Sequence, residues 1–319
     1  MIVKKIAFLT SGGDVPGMNA LLYALTKSCI QNDTVPFGIF DGFQGFIEGR
    51  GMHLDLSYAE EMNNRGGTFI GSARSDSFRT IEGRLKAAAF VQNEKIEGLV
   101  VIGGDGTFRG ALDFSKETNL PILAIPATID NDISGTDYTL GFDTALNTIC
   151  TSIDKIRDTA NSHHRVFLIE VMGRSSGNLA YHAALATGAF AYLIPEEQTD
   201  LSKLINAIQK SRGNKSKIVI VAEGDDAGSS LDILKKLQPY LESIELRHTV
   251  LGHLQRGGAP SYKDRWVASQ MGVMAVEFLL QGETNLMLSW SDEILASCRF
   301  DKSLDLHQKG KIFINEKYF

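Results

Sequence analysis

Short runs of apolar residues recur along the chain, and each is followed by glycine, proline or acidic residues. The runs cover residues 6–9, 99–102, 122–125, 166–171 and 218–222. Continuous apolar runs of this length, bounded by turn residues, are typical of buried parallel strands. The pattern therefore predicts five such strands.

Between these strands, apolar residues recur at the spacing of one helix face. One stripe follows Pro16 and comprises Met18, Leu21, Leu22, Leu25 and Cys29. A second follows Asp200 and comprises Leu201, Leu204, Ile205 and Ile208. We expect Pro16 in a first helical turn and Asp200 at an N-cap. Strands that alternate with helices predict an α/β chain with parallel sheets, whose ligands bind beyond the carboxyl ends of the strands.

The composition limits what such a chain can bind. Its 319 residues, of which 43% are hydrophobic and 22% charged, suffice for about two packed domains. A formal net charge of -6 provides no general basic field, which argues against nucleic acid or an anionic membrane surface as the main partner. Nowhere do about eighteen apolar residues follow one another, so no membrane-spanning helix is predicted.

The cysteines predict no covalent or metal framework. Cys29, Cys150 and Cys298 lie far apart and lack C-x-x-C spacing, so neither a disulfide framework nor a zinc site is indicated and a reducing cytoplasm fits best. The apolar run at 6–9 is interrupted by Ser11 and Gly12 before a signal peptide would be complete, so no targeting segment is visible.

Glycine-rich turns follow the first two predicted strands. Residues 10–19 read TSGGDVPGMN and lead into a helix whose free N–H groups would face an anion, although a tight turn without a ligand stays open. Residues 103–107 read GGDGT, with Gly110 after them, and would supply amides for phosphate and the carboxylate of Asp105 for Mg²⁺. The alternative is that Asp105 only caps a helix. Neither the dinucleotide fingerprint nor G-x-x-x-x-G-K-[ST] occurs.

A third turn carries acids instead of glycines. Residues 126–132 read PATIDND directly after a strand, and phosphoryl transfer needs a base to accept the hydroxyl proton. Asp130 is the candidate base and Asp132 its companion, although Asp-Asn-Asp is also a sequence that turns prefer. Arginine forks match phosphate oxygens, and arginines stand near similar turns at Arg74, Arg79, Arg165, Arg174, Arg247 and Arg256.

Six segments together resemble the bacterial 6-phosphofructokinase family and follow one another in that family's order. They are TSGGDVPGMN, NRGGTFIGSAR, GGDGT, PATIDND, EVMGRSSG and the block 247–265. The match runs from Lys4 to about Met274, and the tail after about Gly282 is less informative. The resemblance implies an α/β fold of two domains, each a mostly parallel sheet flanked by helices. It also implies transfer of the γ-phosphoryl group of MgATP to the 1-hydroxyl of fructose 6-phosphate in glycolysis.

The resemblance assigns roles to individual residues. It implies that Asp130 is the general base and that Arg74, Thr128 and Arg174 stabilise the transferring phosphoryl group. It implies an ATP site at Gly13, Arg74, Ser75, Gly104, Asp105, Gly106, Thr107 and Gly110, with Asp105 on the Mg²⁺ side. It implies a sugar-phosphate site at Thr128, Ile129, Asp130, Arg165, Met172, Gly173, Arg174, Glu223, Arg247, His253, Leu254, Gln255 and Arg256.

Oligomeric state and domain boundaries are likewise implied by the family. Arg165 and Arg247 match arginines that reach a neighbouring subunit's active site, and the family suggests a homotetramer. The expected domains are residues 1–139 with 255–303, which bind ATP, and 140–254 with 304–319, which bind the sugar phosphate.

Several positions depart from the family's pattern. Ala127 stands where ATP-using relatives have glycine and pyrophosphate-using relatives have lysine. Gly106 keeps the ATP-type glycine that pyrophosphate-using relatives replace with aspartate. Small residues at both positions favour ATP. The family's effector site looks depleted, because Tyr23, Lys27 and Leu56 stand where arginines are expected and Phe190 where an acid is expected. Arg157, Arg212 and Lys215 could still offer charge there.

Two other functions stay open on the sequence alone. GGDGT also occurs in other kinases, such as NAD and diacylglycerol kinases, although PATIDND, MGR and the block 247–265 favour a sugar phosphate. A catalytically silent nucleotide-binding subunit would lack the base or the metal acid, whereas Asp130, Asp105, Arg74 and Arg174 are all present.

Overall fold

The computed structural model describes residues 3–163, 165–211 and 217–299. These residues form two compact units. The first comprises 3–128, 133–144 and 256–299, and the second comprises 129–132 and the described part of 145–255. The domain boundaries implied by the family stay a prediction, because residues 300–319 lie outside the described residues.

Strands and helices alternate along most of the chain. In order they are β1 (Lys5–Thr10), α1 (Met18–Gln31), β2 (Val35–Ile39), α2 (Gly42–Glu48), β3 (Gly51–His53), α3 (Leu56–Met62), α4 (Ile81–Glu94), β4 (Gly98–Gly103), α5 (Asp105–Thr118), β5 (Ile122–Pro126), α6 (Phe142–His163), β6 (Val166–Val171), α7 (Asn178–Thr187), β7 (Ala191–Leu193), α8 (Leu201–Lys210), β8 (Lys217–Ala222), α9 (Ser230–Leu237), β9 (Leu246–Val250), α10 (Tyr262–Gln281), β10 (Leu286–Ser291) and β11 (Ile294–Arg299).

The first unit is built on a sheet whose described strands run in the order β11-β10-β5-β4-β1-β2-β3. Its interior strands are parallel, and β3 and β11 pair antiparallel at the two edges. Five of the six residues of β1 and all of β4 and β5 are buried. Strands buried on both faces need side chains that are apolar on both faces, which explains the continuous apolar runs of the sequence.

The second unit is built on a sheet whose described strands run β7-β8-β6-β9, all parallel. Its centre pairs Val166 of β6 with Lys217 of β8 on one side and with Leu246 of β9 on the other. All five strands predicted from apolar runs are present, and helices flank both sheets. The predicted fold class is confirmed.

Both predicted helical stripes lie on helices, but one predicted helix start is wrong. Asp200 caps α8 as expected, because its Oδ1 accepts the N–H groups of Ser202 at 3.0 Å and Lys203 at 3.1 Å. Pro16 does not lie in a helical turn. Helix α1 begins at Met18, and Gly17 occupies the N-cap with φ of 100°, a left-handed conformation that breaks the helical path before Met18.

No helix within residues 3–163, 165–211 and 217–299 is both long enough and apolar enough to cross a membrane.

Candidate active site

The first glycine-rich turn, after β1, lies against Arg256. The guanidinium Nη1 of Arg256 donates to the carbonyl oxygen of Asp14 at 3.3 Å. A Cβ atom on Gly13 would lie 2.5 Å from that same Nη1, so any larger residue would displace the arginine. Gly13, an expected ATP contact, therefore lies beside Arg256, an expected sugar-phosphate contact, in the first unit.

The segment that leads to Arg74 is fastened to the end of β1 and the start of α1. The Asn19 amide donates to the carbonyl oxygens of Arg65 and Gly66, both at 3.1 Å, and accepts the Phe69 N–H at 2.8 Å. The Thr10 hydroxyl donates to the Gly71 carbonyl at 2.7 Å. Sequence reasoning assigned no role to Asn19; the available signal was a polar residue directly beside the apolar stripe of α1.

A cavity of about 420 Å³ lies between this segment and the turn at residues 12–14. Five of its eleven lining residues are glycines, and the Ser72 hydroxyl donates to the Gly12 carbonyl at 2.7 Å on one side. Arg74 follows directly and is exposed. The hydroxyl of Ser75 donates to the side-chain oxygen of Gln44 at 2.8 Å, which fixes this expected ATP contact in place.

The second glycine-rich turn joins β4 to α5. Gly104 occupies the N-cap of α5 without a side-chain hydrogen bond, so Asp105 is the first helical residue and does not cap the helix. Asp105 and Gly106 are exposed, whereas Thr107 is buried and donates to the Ser11 carbonyl at 3.3 Å. Free N–H groups at a helix start attract phosphate, and the exposed Asp105 carboxylate beside them suits a cation bound to that phosphate.

Phenylalanines pack behind Gly110, on the following turn of α5. A Cβ atom on Gly110 would lie 3.3 Å from the Phe43 ring and 3.4 Å from the Phe78 ring, and these two rings stack with centroids 4.0 Å apart. A side chain at position 110 would crowd both rings. Every expected ATP-contacting residue thus lies in the first unit, on the turns after β1 and β4 or on the segment after residue 71.

The acidic turn contributes Asp130 to the second unit. The Asp130 side chain is 2% exposed, and its Oδ2 lies 3.8 Å from the Nε atom of Arg174. The Arg174 backbone has φ of 52°, and its N–H donates to the Glu223 carboxylate at 2.8 Å. A left-handed non-glycine residue is uncommon and costly, and here it directs Arg174 towards the buried carboxylate.

Two side chains at the start of α7 hold the backbone of the acidic turn. The Ser176 hydroxyl donates to the Asp130 carbonyl at 3.1 Å, and the Asn178 amide donates to the Asn131 carbonyl at 2.8 Å. Asn131 has φ of 48°, also left-handed. The backbone that carries Asp130 is therefore held by the segment between β6 and α7, and sequence reasoning had assigned Met172, Gly173 and Arg174 of that segment to the same site.

The remaining sugar-phosphate positions of the second unit divide into buried and exposed side chains. Gln255 is fully buried; its amide oxygen accepts the Met172 N–H at 3.2 Å and its nitrogen donates to the Gly252 carbonyl at 2.9 Å. His253 and Leu254, on the same turn, are exposed. The Gln255 side chain therefore positions this turn, whereas His253 and Leu254 are open to a ligand.

Arg165 and Arg247, the two expected intersubunit arginines, share one carboxylate of their own subunit. The Nε atom of Arg165 lies 2.5 Å from Oε2 of Glu245, and Nη2 of Arg247 donates to Oε1. The two arginines hold the pKa of the Glu245 carboxyl below its usual value, and the hydrogen bond from Arg165 contributes most to this shift. Glu245, which the sequence analysis did not single out, keeps both guanidinium groups together.

The positions compared with the family's effector site are distributed over both units. In the first, the Lys27 ammonium lies 5.7 Å from the centre of the Tyr23 ring, and Leu56 begins α3. In the second, Lys217 lies 5.9 Å from the Phe190 ring. Arg157 donates to the Thr187 carbonyl at 2.5 Å. Arg212 and Lys215 lie outside the described residues.

Comparison with known proteins decides the family. The phosphofructokinase family model matches residues 5–279. The chain belongs to the phosphofructokinase family. It is 48% identical over 283 residues to the ATP-dependent 6-phosphofructokinase of Bacillus subtilis, covering 88% of each chain. It is 45% identical over 302 residues to that of Oceanobacillus iheyensis, covering 94% of this chain and 93% of the relative.

Solved phosphofructokinase structures share the fold. The enzyme from Saccharomyces cerevisiae superposes with a TM-score of 0.90 at 35% identity; the match covers 95% of this chain and spans only 45% of the yeast chain. A pyrophosphate-dependent phosphofructokinase from Marinobacter aquaeolei superposes with a TM-score of 0.87 at 20% identity, covering 99% of this chain and 88% of that one. The family resemblance deduced from the six sequence segments is confirmed.

Proposed function

We propose that this phosphofructokinase-family chain transfers the γ-phosphoryl group of ATP to the 1-hydroxyl of fructose 6-phosphate, giving fructose 1,6-bisphosphate in glycolysis. The observation that carries the proposal is the buried Asp130 carboxylate with Arg174 beside it, in a chain whose bacterial relatives are ATP-dependent 6-phosphofructokinases. We place the reaction in the cytoplasm.

On the nucleotide side, the helix start at Gly104–Thr107, where Asp105 and Gly106 are exposed, supports phosphate binding by backbone N–H groups. The expected ATP contacts are Gly13, Arg74, Ser75, Gly104, Asp105, Gly106, Thr107 and Gly110. No group of three or more His, Cys, Asp or Glu residues forms a metal site in the described part of the chain, but Mg²⁺ in kinases is held by one or two carboxylates together with substrate phosphates. Asp105 would hold it, and the ion would neutralise charge on the phosphates.

On the acceptor side, Asp130 would take the proton of the attacking hydroxyl group. Its burial and its Arg174 partner keep water from competing for the carboxylate and supply positive charge to the transferring phosphoryl group. Arg74 and Thr128 would stabilise the same charge. The sugar phosphate would contact Ile129, Met172, Gly173, Glu223, His253, Leu254 and Arg256, with Gln255 holding the turn beneath it.

A coupled assay tests the reaction and its donor together. With fructose 6-phosphate and MgATP we expect steady turnover, and with pyrophosphate in place of ATP we expect none. Pyrophosphate-using relatives have an acid at the position of Gly106 and a lysine at the position of Ala127, and this chain has neither. Ala127 is 2% exposed, so its surroundings would have to repack to hold a lysine. If neither ATP nor pyrophosphate supports turnover, the proposed function is contradicted. Comparable rates with the two donors contradict only the choice of ATP as donor.

We propose further that the chain forms homotetramers whose active sites are shared between subunits. If Arg165 serves a neighbour's substrate, mixing Arg165→Ala subunits with Asp130→Asn subunits restores part of the activity. One site of each hybrid interface then contains both intact residues. The measurement is the coupled rate of the mixture after dissociation and reassembly, compared with each variant treated alone.

A second mixture is the matched control. Arg165→Ala subunits mixed with Arg247→Ala subunits recover nothing, because each would deprive a neighbour's site of one arginine and no site keeps the full set. If verified hybrids of the first mixture stay inactive, Arg165 acts within its own subunit or outside any site.

Because the expected effector site lacks several charged residues, we expect phosphoenolpyruvate and ADP to change the reaction rate only weakly. Arginine binds phosphate with two parallel hydrogen bonds, which Tyr23 and Leu56 cannot make. Lys27 supplies only a point charge, and its ammonium group faces the Tyr23 ring. With millimolar phosphoenolpyruvate or ADP, we expect initial rates at subsaturating fructose 6-phosphate to change by less than about fivefold, the lower end of ordinary allosteric coupling. Stronger effects that vanish in Arg157→Ala would contradict this.

A further inference from the structure

Asp264 is a buried carboxylate that the proposed reaction does not use. It lies in the first turn of α10, is 0% exposed, and belongs to the block 247–265 that carried the family resemblance. Its Oδ1 accepts the Tyr138 hydroxyl and the Gly141 N–H, both at 2.7 Å. Its Oδ2 accepts the Thr144 N–H at 2.9 Å and the Thr144 hydroxyl. One carboxylate thus fastens three residues of the loop at 138–144, whose last residues, from Phe142, form the start of α6.

This arrangement is costly to build. Burial raises the pKa of Asp264, and the hydrogen bonds from Thr144, Tyr138 and Gly141 oppose that rise. Burial beside this acid likewise raises the pKa of Tyr138 above its usual value. A helix start needs no such residue, because the Ser261 hydroxyl already caps α10 by accepting the Asp264 N–H at 3.2 Å.

The loop that Asp264 fastens runs beside the end of β5. The Leu140 N–H donates to the Pro126 carbonyl at 3.0 Å, and Leu140 forms a β-bridge with Ala127. The Thr139 hydroxyl then donates to the Thr128 carbonyl at 2.6 Å. The contacts therefore run without a break from Asp264, through the loop at 138–144, to the backbone of Thr128.

The other end of the loop is also anchored. The Trp290 N–H donates to the Thr136 hydroxyl at 2.9 Å, and the Asp137 N–H donates to the Trp290 carbonyl at 2.9 Å. With β10 holding residues 136 and 137, Asp264 fixes the stretch between that anchor and the first turn of α6. Releasing the carboxylate removes the four hydrogen bonds that hold Tyr138, Gly141 and Thr144, on both sides of Thr139, against α10.

We propose that Asp264 is a positioning residue for phosphoryl transfer, acting on Thr128 through the loop at 138–144. The inference deepens the proposed function and rests on it, since Thr128 is one of the groups expected to stabilise the transferring phosphoryl group. Misplacing such a group by about 1 Å can cost about a hundredfold in rate. Asp264 itself touches no substrate in this role.

The test compares Asp264→Asn with Ser261→Ala. The first replaces one carboxylate oxygen by an amide NH₂ group, which then faces N–H and O–H groups that also donate. The second removes only the side-chain cap of α10. We expect Asp264→Asn to lower kcat for fructose 6-phosphate by about tenfold to a hundredfold, with little change in the KM for ATP. Ser261→Ala should lower the melting temperature by a few degrees and leave kcat nearly unchanged.

A double-mutant cycle separates positioning from general stability. If Asp264 acts through Thr139, the Asp264→Asn and Thr139→Val effects on kcat are not additive, and the double variant is about as slow as the slower single variant. Independent effects on kcat, or an Asp264→Asn variant with the kcat of the wild type, overturn the proposal. A wild-type chain without activity on fructose 6-phosphate contradicts the proposed function instead.

Tyr138→Phe keeps the test decisive if Asp264→Asn does not fold. It removes one of the four hydrogen bonds and keeps the ring. We expect its kcat to fall by about threefold to tenfold, with the KM for ATP unchanged. A Tyr138→Phe variant whose kcat matches that of Ser261→Ala contradicts the proposal.

Discussion

Asp130→Asn is expected to lower kcat by about 10²- to 10⁴-fold, the usual contribution of a general base. The substitution keeps the shape of the side chain and removes its ability to accept a proton. The Ser176 hydroxyl donates to the backbone carbonyl of Asp130 and not to its side chain, so the turn itself stays in place. Binding of ATP and of the sugar phosphate, measured by calorimetry, should be largely retained.

Asp154→Asn is the matched control for this prediction, because Asp154 is an exposed acid on α6 of the same unit. It loses the same charge without touching the proposed site, and its kcat should stay at the wild-type level. If Asp130→Asn also keeps the wild-type rate, Asp130 is not the base.

Gly106→Asp is expected to lower kcat/KM for ATP by about a hundredfold or more, because placing like charges together costs several kcal/mol. Within the described structure, a Cβ atom at position 106 has nothing within 4 Å, so the added side chain needs no repacking. An acid in the first turn also favours the helix. The fold should therefore survive, and the loss should fall on the nucleotide phosphates.

Gly106→Ser separates charge from bulk at the same position. It adds a side chain of similar reach without a negative charge, and its kcat/KM for ATP should stay within about tenfold of the wild type. Equal losses in the two variants would mean that space, not charge, decides which donor is accepted. No loss in either would remove Gly106 from the nucleotide site.

The sequence predicted five of the buried strands and missed β2 and β10, which are also largely buried. The runs in β1, β4, β5, β6 and β8 are continuous and apolar because helices cover both sides of these strands. Strand β9 was missed because it reads Leu-Arg-His-Thr-Val and is largely exposed. Strand β11 was missed for the same reason, since it lies at a sheet edge and is mostly exposed.

For the candidate site, the sequence singled out the residues expected to contact ligands better than those that hold them in place. Asn19 and Asp264 are buried polar residues whose side-chain partners lie 46 or more positions away in the chain. Local spacing contains no record of such partners. Glycine-rich turns and acids after strands could be recognised because strand, turn and helix are adjacent in sequence.

Strand β9 forms an edge of the second sheet within the described residues, and it carries Arg247. An exposed edge offers unpaired backbone groups to any other strand, and charged side chains discourage such aggregation. The arginine proposed to reach a neighbour's substrate therefore also helps to keep the chain in solution. A lower yield of the Arg247→Ala variant would then reflect aggregation and not loss of catalysis. Its activity therefore has to be divided by the amount of protein that stays in solution.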